Sequence, residues 1–303
     1  MSELADILAV AGTLEQEESH SPAPASAASG ESELWGGIRA IIENDIVDAP
    51  RNQQKRIGPS ELGTQCVHCL AAKLVEWEQV KAPAWLPFIG TCVHEHFEHL
   101  FPRVYGEDGN TPYRSERRVT VGQLQRVSGG YEVRGSIDLV DLEHHATIDW
   151  KIVGATTLKQ VRANGPSQQY RVQASLYGLG LEGEGERVEK SCIFFLPRTS
   201  QSLADAYIWE SQFDPEPGRW AMRRAQNLMN VLDNIELNYG ISVRDEFIRR
   251  LPRAEHCWDC GTWTQESSTS HYLSGTDSSS TSSLPADVAD WLTRFPATYV
   301  PKN

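Results

Sequence analysis

No run of about eighteen apolar residues occurs in this chain, so no membrane-spanning helix is expected. The opening "MSELADILAVAG" lacks a basic start and a long apolar block, and so does not read as a secretory signal. Both absences point to a cytoplasmic, reducing setting. There the six cysteines read as thiols or metal ligands rather than disulfides. Positive charge is also scarce: 28 Lys and Arg against 41 Asp and Glu leave a net charge of −13, which taken whole argues against a nucleic-acid partner until its distribution is considered. No internal repeat is visible.

The acidity is concentrated at the ends. Residues 1–33 hold seven acids and no Lys or Arg, and their stretch "EQEESHSPAPASAASGESE" has the composition of a disordered segment. Residues 266–303 begin with the low-complexity "ESSTSHYLSGTDSSSTSS" and read as a second, Ser/Thr-rich tail, closed by a possible isolated amphipathic turn in "LPADVADWLTRF". The folded body is then 34–265, which carries about −4 and several basic clusters, among them "RNQQKR", "YRSERR", "RWAMRRAQ" and "IRRLPR". Each alone reads as a solvated helix face, and together they leave room for a locally basic groove.

Within that body the pattern predicts helices over "ELWGGIRAIIENDI", "GPSELGTQCVHCLAAKLVEWEQV" and "LPFIGTCVHEHFEHLFPRVYG". Three alternating stretches follow, "RRVTVGQLQRV", "GGYEVRGSIDLVDL" and "HATIDWKIV", separated by turn residues. A helix over "SQQYRVQASLYGLGLEG", strands over "EKSCIFFLPR" and "ADAYIWE", and a long helix over "PGRWAMRRAQNLMNVLDNIELNYG" complete the order. That order predicts an α/β (α+β) domain whose mixed central sheet is flanked by helices.

The stretch "GSIDLVDLEHHATIDWK" carries the chemistry. Alternation puts Asp149 and Lys151 on one face of a strand, and Asp138 sits on the neighbouring strand. If the pairing brings the carboxylates together they repel by about 4 kcal/mol at 4 Å and an effective dielectric of about 20. A hard divalent cation removes that penalty and prefers oxygen ligands. His94 and Glu98 lie one turn apart on an earlier helix, and Tyr170, Gln173 and Tyr177 form a polar stripe on a later one.

Four short patterns occur in order: Gly90-x-x-x-His94-x-x-x-Glu98, Gly135-x-x-Asp138, Asp149-x-Lys151 and Gln173-x-x-x-Tyr177. Together they resemble the PD-(D/E)XK nuclease superfamily, in its RecB-like and Cas4-like exonuclease branch, many of whose members are phage-encoded. The resemblance spans about residues 58–262 and implies a restriction-endonuclease-like core. It implies that His94, Asp138, Asp149 and the Ile152 carbonyl hold Mg²⁺ or Mn²⁺. Lys151 would activate water or stabilise the transition state, and Gln173 and Tyr177 would position DNA or support the site. Glu116 is similar to an acid found before the Gly-x-x-Asp strand in some relatives. The implied activity is hydrolysis of DNA phosphodiester bonds, exonuclease over endonuclease, in replication, recombination or repair. The implied setting is a bacterial or phage-infected cytoplasm. DNA ends would be the partner, and a recombination or replication protein could dock through the tails.

The pairs Cys66-x-x-Cys69 and Cys257-x-x-Cys260 supply four thiols, the number wanted by zinc or an iron–sulfur cluster, with 187 residues between the pairs. A shared site would staple the start of the body to its end. Iron–sulfur members of the resembling branch typically use one N-terminal and three C-terminal cysteines, so the two-and-two arrangement keeps both [4Fe–4S] and Zn²⁺ open. Cys92 and Cys192 lie in apolar segments and read as core residues. Two other readings compete. A non-catalytic DNA-binding or assembly protein would be expected to lose a member of the His94–Asp138–Asp149–Lys151 set. A zinc hydrolase built on "HEHFEH" would want a histidine where Glu98 stands.

Overall fold

The structure is a computed structural model that describes residues 32–49, 54–80, 82–264 and 284–301. The chain divides into two units, 1–43 and 44–303. The expected acidic tail falls almost wholly on residues 1–31, outside the described residues. Helix α1 (Glu33–Asp48) confirms the first helical stretch.

The second unit holds a five-stranded mixed sheet in the order β1-β2-β3-β4-β5. Its strands are β1 (Tyr113–Leu124), β2 (Tyr131–Asp141), β3 (Ala146–Val153), β4 (Lys190–Pro197) and β5 (Tyr207–Gln212). The first three form an antiparallel meander, β4 lies parallel to β3, and β5 returns antiparallel. The parallel step requires a crossover, which two helices supply: α5 (Ala155–Asn164) and α6 (Gln168–Gly183).

Strand alternation sends Ile148 and Trp150 to one face, where they pack with Leu139 and Cys192 against Phe97 and Phe101 at the end of α4 (Trp85–Leu100). The opposite face is covered by α6, α7 (Glu216–Tyr239), α8 (Ile241–Arg250) and α3 (Val67–Leu74), whose apolar residues share one large cluster with Val119, Val133 and Ile137. The mixed sheet between helical layers matches the expected architecture. The long second helical stretch is broken at Gly63, which ends α2 (Pro59–Leu62) before α3 begins. Gly63 packs so closely on α6 that a Cβ there would meet the Gln169 backbone at 2.7 Å.

Helix α8 is held by charge as much as by apolar contact. Arg244 is fully buried and donates to Glu236 of α7 and, at 2.7 Å, to Asp245. The Trp77 indole N–H donates to the same Asp245 oxygen at 3.1 Å. Each buried charge thereby has a partner, the condition under which such a network is tolerated.

One boundary differs from the sequence reading. Residues 265–283 lie outside the described residues, but 284–301 do not form a free tail. A short helix α9 (Ala286–Ala289) places Val288 in the main apolar cluster, and Phe295 joins it a few residues on. The Gln168 side chain ties this segment to α6, donating to the Ala297 carbonyl at 3.0 Å and accepting from the Tyr299 N–H at 2.7 Å. Apolar residues spaced through "LPADVADWLTRF" were enough to dock it, despite the Ser-rich stretch before it.

Candidate metal centre and active site

The β2–β3 ladder ends at Leu139↔Ile148. The next residues outward are Asp138 and Asp149, so both carboxylates stand where the two strands part. Asp138 replaces the missing ladder bond: its Oδ2 accepts the Trp150 N–H at 2.7 Å. Its Oδ1 lies 3.3 Å from His94 Nδ1, on α4. The β1 register sets Glu116 opposite Asp138, between the pairs Ser115↔Leu139 and Arg117↔Ile137. Glu116 has φ of 47°, a left-handed conformation that a glutamate rarely adopts. His94, Glu116 and Asp138 each offer a ligand atom, all within 4.8 Å of one another.

Asp149 is almost wholly buried on the adjacent strand. Its Oδ2 lies 2.6 Å from Lys151 Nζ, and its Oδ1 has no hydrogen-bond partner among the described residues. Lys151 Nζ in turn donates to Gln173 Oε1 at 3.1 Å, and Gln173 Nε2 donates to the Tyr177 hydroxyl at 2.9 Å. Lys151 Nζ also sits 5.0 Å from the centre of the Tyr170 ring. Gln173 and Tyr177 come from α6, one turn apart, so the helix that crosses from β3 to β4 also orients the lysine. Ile152 pairs with Leu196 in the β3–β4 ladder and lies close to Gly90 of α4.

The structure therefore brings together every candidate of the His94–Asp138–Asp149–Lys151–Gln173–Tyr177 set. It refines one point. Glu116, a weaker candidate in the sequence, completes the tight trio with His94 and Asp138, while Asp149 turns to Lys151.

The electrostatics follow from burial. Desolvation pushes the Asp149 carboxyl up to about 6, against the pull of Lys151 and with added pressure from Asp138. Burial likewise raises Glu116, and the charges of Asp138 and Glu98 push the same way. For His94 burial alone would lower the pKa, but the hydrogen bond and charge of Asp138, aided by Asp149, outweigh it and raise it. His94 and Lys151 are the basic side chains that lie against these carboxylates, at 3.3 Å from Asp138 and 2.6 Å from Asp149. The donor set fits a divalent cation: three clustered groups of one imidazole and two carboxylates, with a further buried carboxylate oxygen left without a partner.

The two Cys-x-x-Cys pairs meet. Sulfur separations are 3.4 Å for Cys66–Cys260, 3.6 Å for Cys69–Cys257 and 3.5 Å for Cys69–Cys260. All are free thiols, well beyond a disulfide's bond length of about 2 Å. The cluster joins the N-terminal part of the body to its C-terminal part, as expected, and can bind a metal. The sequence reading missed His68, whose Nδ1 lies 3.8 Å from both Cys69 and Cys260 Sγ. It sits inside "CVHC" itself and was legible there. The buried Trp263 indole N–H donates to Cys69 Sγ at 3.4 Å, a contact suited to a thiolate. The shared hydrogen bond with Cys69 drives the Cys66 thiol down to about 2, the same bond drives Cys69 up, and burial pushes Cys260 up to about 12. Cys66, His68, Cys69 and Cys260 each offer a ligand atom within 4.8 Å of the others, and Cys257 stands beside Cys69; thiolates this close repel unless a cation sits among them. Cys192 is buried as expected, whereas Cys92 is exposed on α4 and is not a core residue.

No protein-family model matches this chain, and no curated protein matches it in sequence. Similar solved structures include the crystal structure of SSO0001, with a TM-score of 0.42 at 13% identity, covering 65% of this chain and 89% of that one. Another, from Eubacterium rectale and described by name only as an exonuclease, has a TM-score of 0.33 at 14% identity, covering 60% of this chain and 81% of that one. Scores this low transfer neither fold nor activity. Among the described residues no helix is long and apolar enough to cross a membrane.

Proposed function

We propose that this protein is a Mg²⁺- or Mn²⁺-dependent deoxyribonuclease of the RecB-like kind, an exonuclease acting on DNA ends. The observation that supports this most is the fork between β2 and β3. It holds Asp138 and Asp149 at the end of their ladder, with Lys151 at 2.6 Å from one of them and a buried carboxylate oxygen unpartnered. A structural hairpin gains nothing from burying that charge.

His94, Glu116, Asp138 and Asp149, with the Ile152 carbonyl, are the residues that would hold the ion. A divalent cation there supplies Lewis-acid stabilisation of phosphoryl charge and a more acidic water. Lys151, aligned by Gln173 and Tyr177, places an ammonium beside the scissile phosphate, where it stabilises developing negative charge and orients the attacking water. At the second site the sulfur spacing favours one zinc. A tetrahedral ion with Zn–S of about 2.3 Å sets its sulfurs about 3.8 Å apart, whereas a cubane interposes four irons and holds its ligands farther apart. The zinc is structural in this reading, held by Cys66, Cys69 and Cys260, with the fourth place taken by Cys257, 3.6 Å from Cys69, or by His68, which lies within 4.8 Å of the other three.

The test is cleavage of linear and circular DNA, single- and double-stranded, in Mg²⁺ or Mn²⁺. Degradation of linear DNA alone is expected. Asp138→Asn and Asp149→Asn are expected to abolish it, and Lys151→Ala to slow it by about 10²- to 10⁴-fold. A folded wild-type protein that binds DNA and cleaves none of these substrates would instead favour the non-catalytic reading.

A further inference from the structure

The basic stretch "RWAMRRAQ" plays no part in either site above. On α7 it puts Trp220, Arg223, Arg224 and Asn227 on one face, at the i, i+3, i+4 and i+7 positions. The docked C-terminal segment passes over this face and adds Trp291 and Arg294, leaving a cleft of about 440 Å³. No carboxylate lines it.

Arg224 is 3% exposed. Its Nη1 donates to the Thr64 carbonyl at 2.7 Å, and its guanidinium lies 5.2 Å from the centre of the Trp220 ring. Its Nε and Nη2 have no partner among the described residues. Burial lowers its pKa to about 10, opposed only by the charge of Cys66, so it stays cationic at neutral pH. A buried guanidinium without a carboxylate is costly, on the order of several kcal/mol. The side of the cleft it forms is therefore positive, with two of its guanidinium nitrogens unpartnered and the Cys66 sulfur as the one negative group acting on it. On the rim Arg294 lies 4.5 Å from the centre of the Trp291 ring, and Arg223 makes a long, exposed ion pair with Glu216 at 3.8 Å. A cleft lined by three arginines and no carboxylate, on a chain of net charge −13, selects an anionic ligand.

Guanidinium groups recognise phosphate, and an indole face accepts a base. The combination of three arginines, two tryptophans and an amide from Asn227 within one cleft is the chemistry of a nucleotide subsite. We infer that this cleft, remote in sequence from Asp138 and Asp149, binds a nucleoside phosphate with its base against an indole, as part of a single DNA strand or as a free nucleotide. The inference does not rest on the nuclease reading.

The experiment uses the full chain without Mg²⁺ or Mn²⁺. Anisotropy of a labelled oligothymidylate and quenching of tryptophan fluorescence by dAMP are measured for wild type, Arg294→Ala, Trp291→Ala and Arg224→Met. The first two residues are exposed, so their loss leaves the fold intact; Arg224→Met keeps the packing volume and is checked by its melting curve. Trp291→Ala is expected to weaken binding about tenfold, within the range of one lost stacking contact. Arg294→Ala is expected to lower the slope of log affinity against log salt by about 0.7. Tight binding of the oligonucleotide with weak dAMP binding identifies a strand subsite; equal binding identifies a free-nucleotide site. Affinity and salt slope unchanged in both exposed variants, or no binding of either probe by wild type, overturns the inference. A chain that binds both probes yet cleaves no DNA refutes the nuclease reading and leaves this one standing.

Discussion

Asp149 is a burden on the ion-free protein. Its carboxyl is nearly inaccessible and its pKa is raised to about 6, because the desolvation penalty exceeds what Lys151 returns. Asp149→Asn is therefore expected to melt at or above the wild-type temperature in chelated buffer while losing hydrolysis. Saturating Mn²⁺ should then stabilise the wild type by about 2.7 kcal/mol at a hundredfold excess over its dissociation constant, and leave the variant unmoved. A structural aspartate would show the reverse: lower stability on substitution and no response to the ion, read by thermal scans with and without Mn²⁺. The motif glycines separate in the same way. A Cβ on Gly135 would lie 2.8 Å from Tyr177 Cε1 and 2.6 Å from Pro59 Cγ, so the strand can approach α6 only because no side chain is there. Gly90 sits within α4, where an added Cβ would meet Ile152 Cβ at an ordinary 4.0 Å. Gly135→Ala is expected to lose stability, about 1–3 kcal/mol as overpacking. Gly90→Ala is expected to be neutral or to gain up to about 1 kcal/mol from helix propensity, both measured by denaturant midpoints. The pattern in the sequence marked both glycines alike, and only the packing tells them apart.

At the scale of elements, the strands were the most legible part of the chain. β1 to β5 carry alternation or short apolar runs bounded by turns, and that signal survives folding. The helices α5 and α8 were not legible. In α5 only Leu158 and Val161 are buried, too few to make a stripe. In α8 the inward face includes Arg244 and Asp245, so the positions that should look apolar look charged. The partner that makes those charges tolerable, Glu236, is on another helix. The site was legible where its parts are local, as in Asp149 and Lys151, and less so where it depends on register. Glu116 joins His94 and Asp138 through its place opposite Asp138 and a left-handed backbone turn, neither of which a spacing rule reports. The C-terminal segment was misread because its Ser-rich approach dominated its composition. Phe295 is 8% exposed within the main cluster, so Phe295→Ala is expected to cost about 3 kcal/mol. A tail without structure would show no change in the denaturant midpoint. Ser167 caps α6, accepting the Tyr170 N–H at 3.4 Å, and Ser167→Ala is expected to cost about 1 kcal/mol by the same measurement.

At the scale of the whole body, one cluster of sulfur atoms fixes the relation between the first helices and the last turn. Cys66 and Cys69 lie at the start of α3, and Cys257 and Cys260 follow α8, so the chain between them contains the entire sheet. Closing a loop of that length removes unfolded-state freedom worth on the order of 5 kcal/mol in the chain-entropy model used for disulfides, and thiolate–metal bonds add folding free energy directly. The fork that holds Asp138 and Asp149 belongs to the enclosed segment and shares no residue with the sulfur cluster. Loss of the staple should therefore act on the population of folded protein and not on its metal requirement. Cys66→Ser or Cys260→Ser is expected to give low soluble yield, with the remaining folded fraction keeping the wild-type Mg²⁺ or Mn²⁺ dependence. His68→Ala tests the ligand set from the other side. If four sulfurs hold the ion, this variant still purifies colourless with one equivalent of zinc by elemental analysis. If His68 is a ligand in place of Cys257, the zinc is lost from His68→Ala and retained in Cys257→Ser. A brown protein containing iron and sulfide would show that the thiols separate around a cluster, contrary to the 3.4–3.6 Å spacing of their sulfurs.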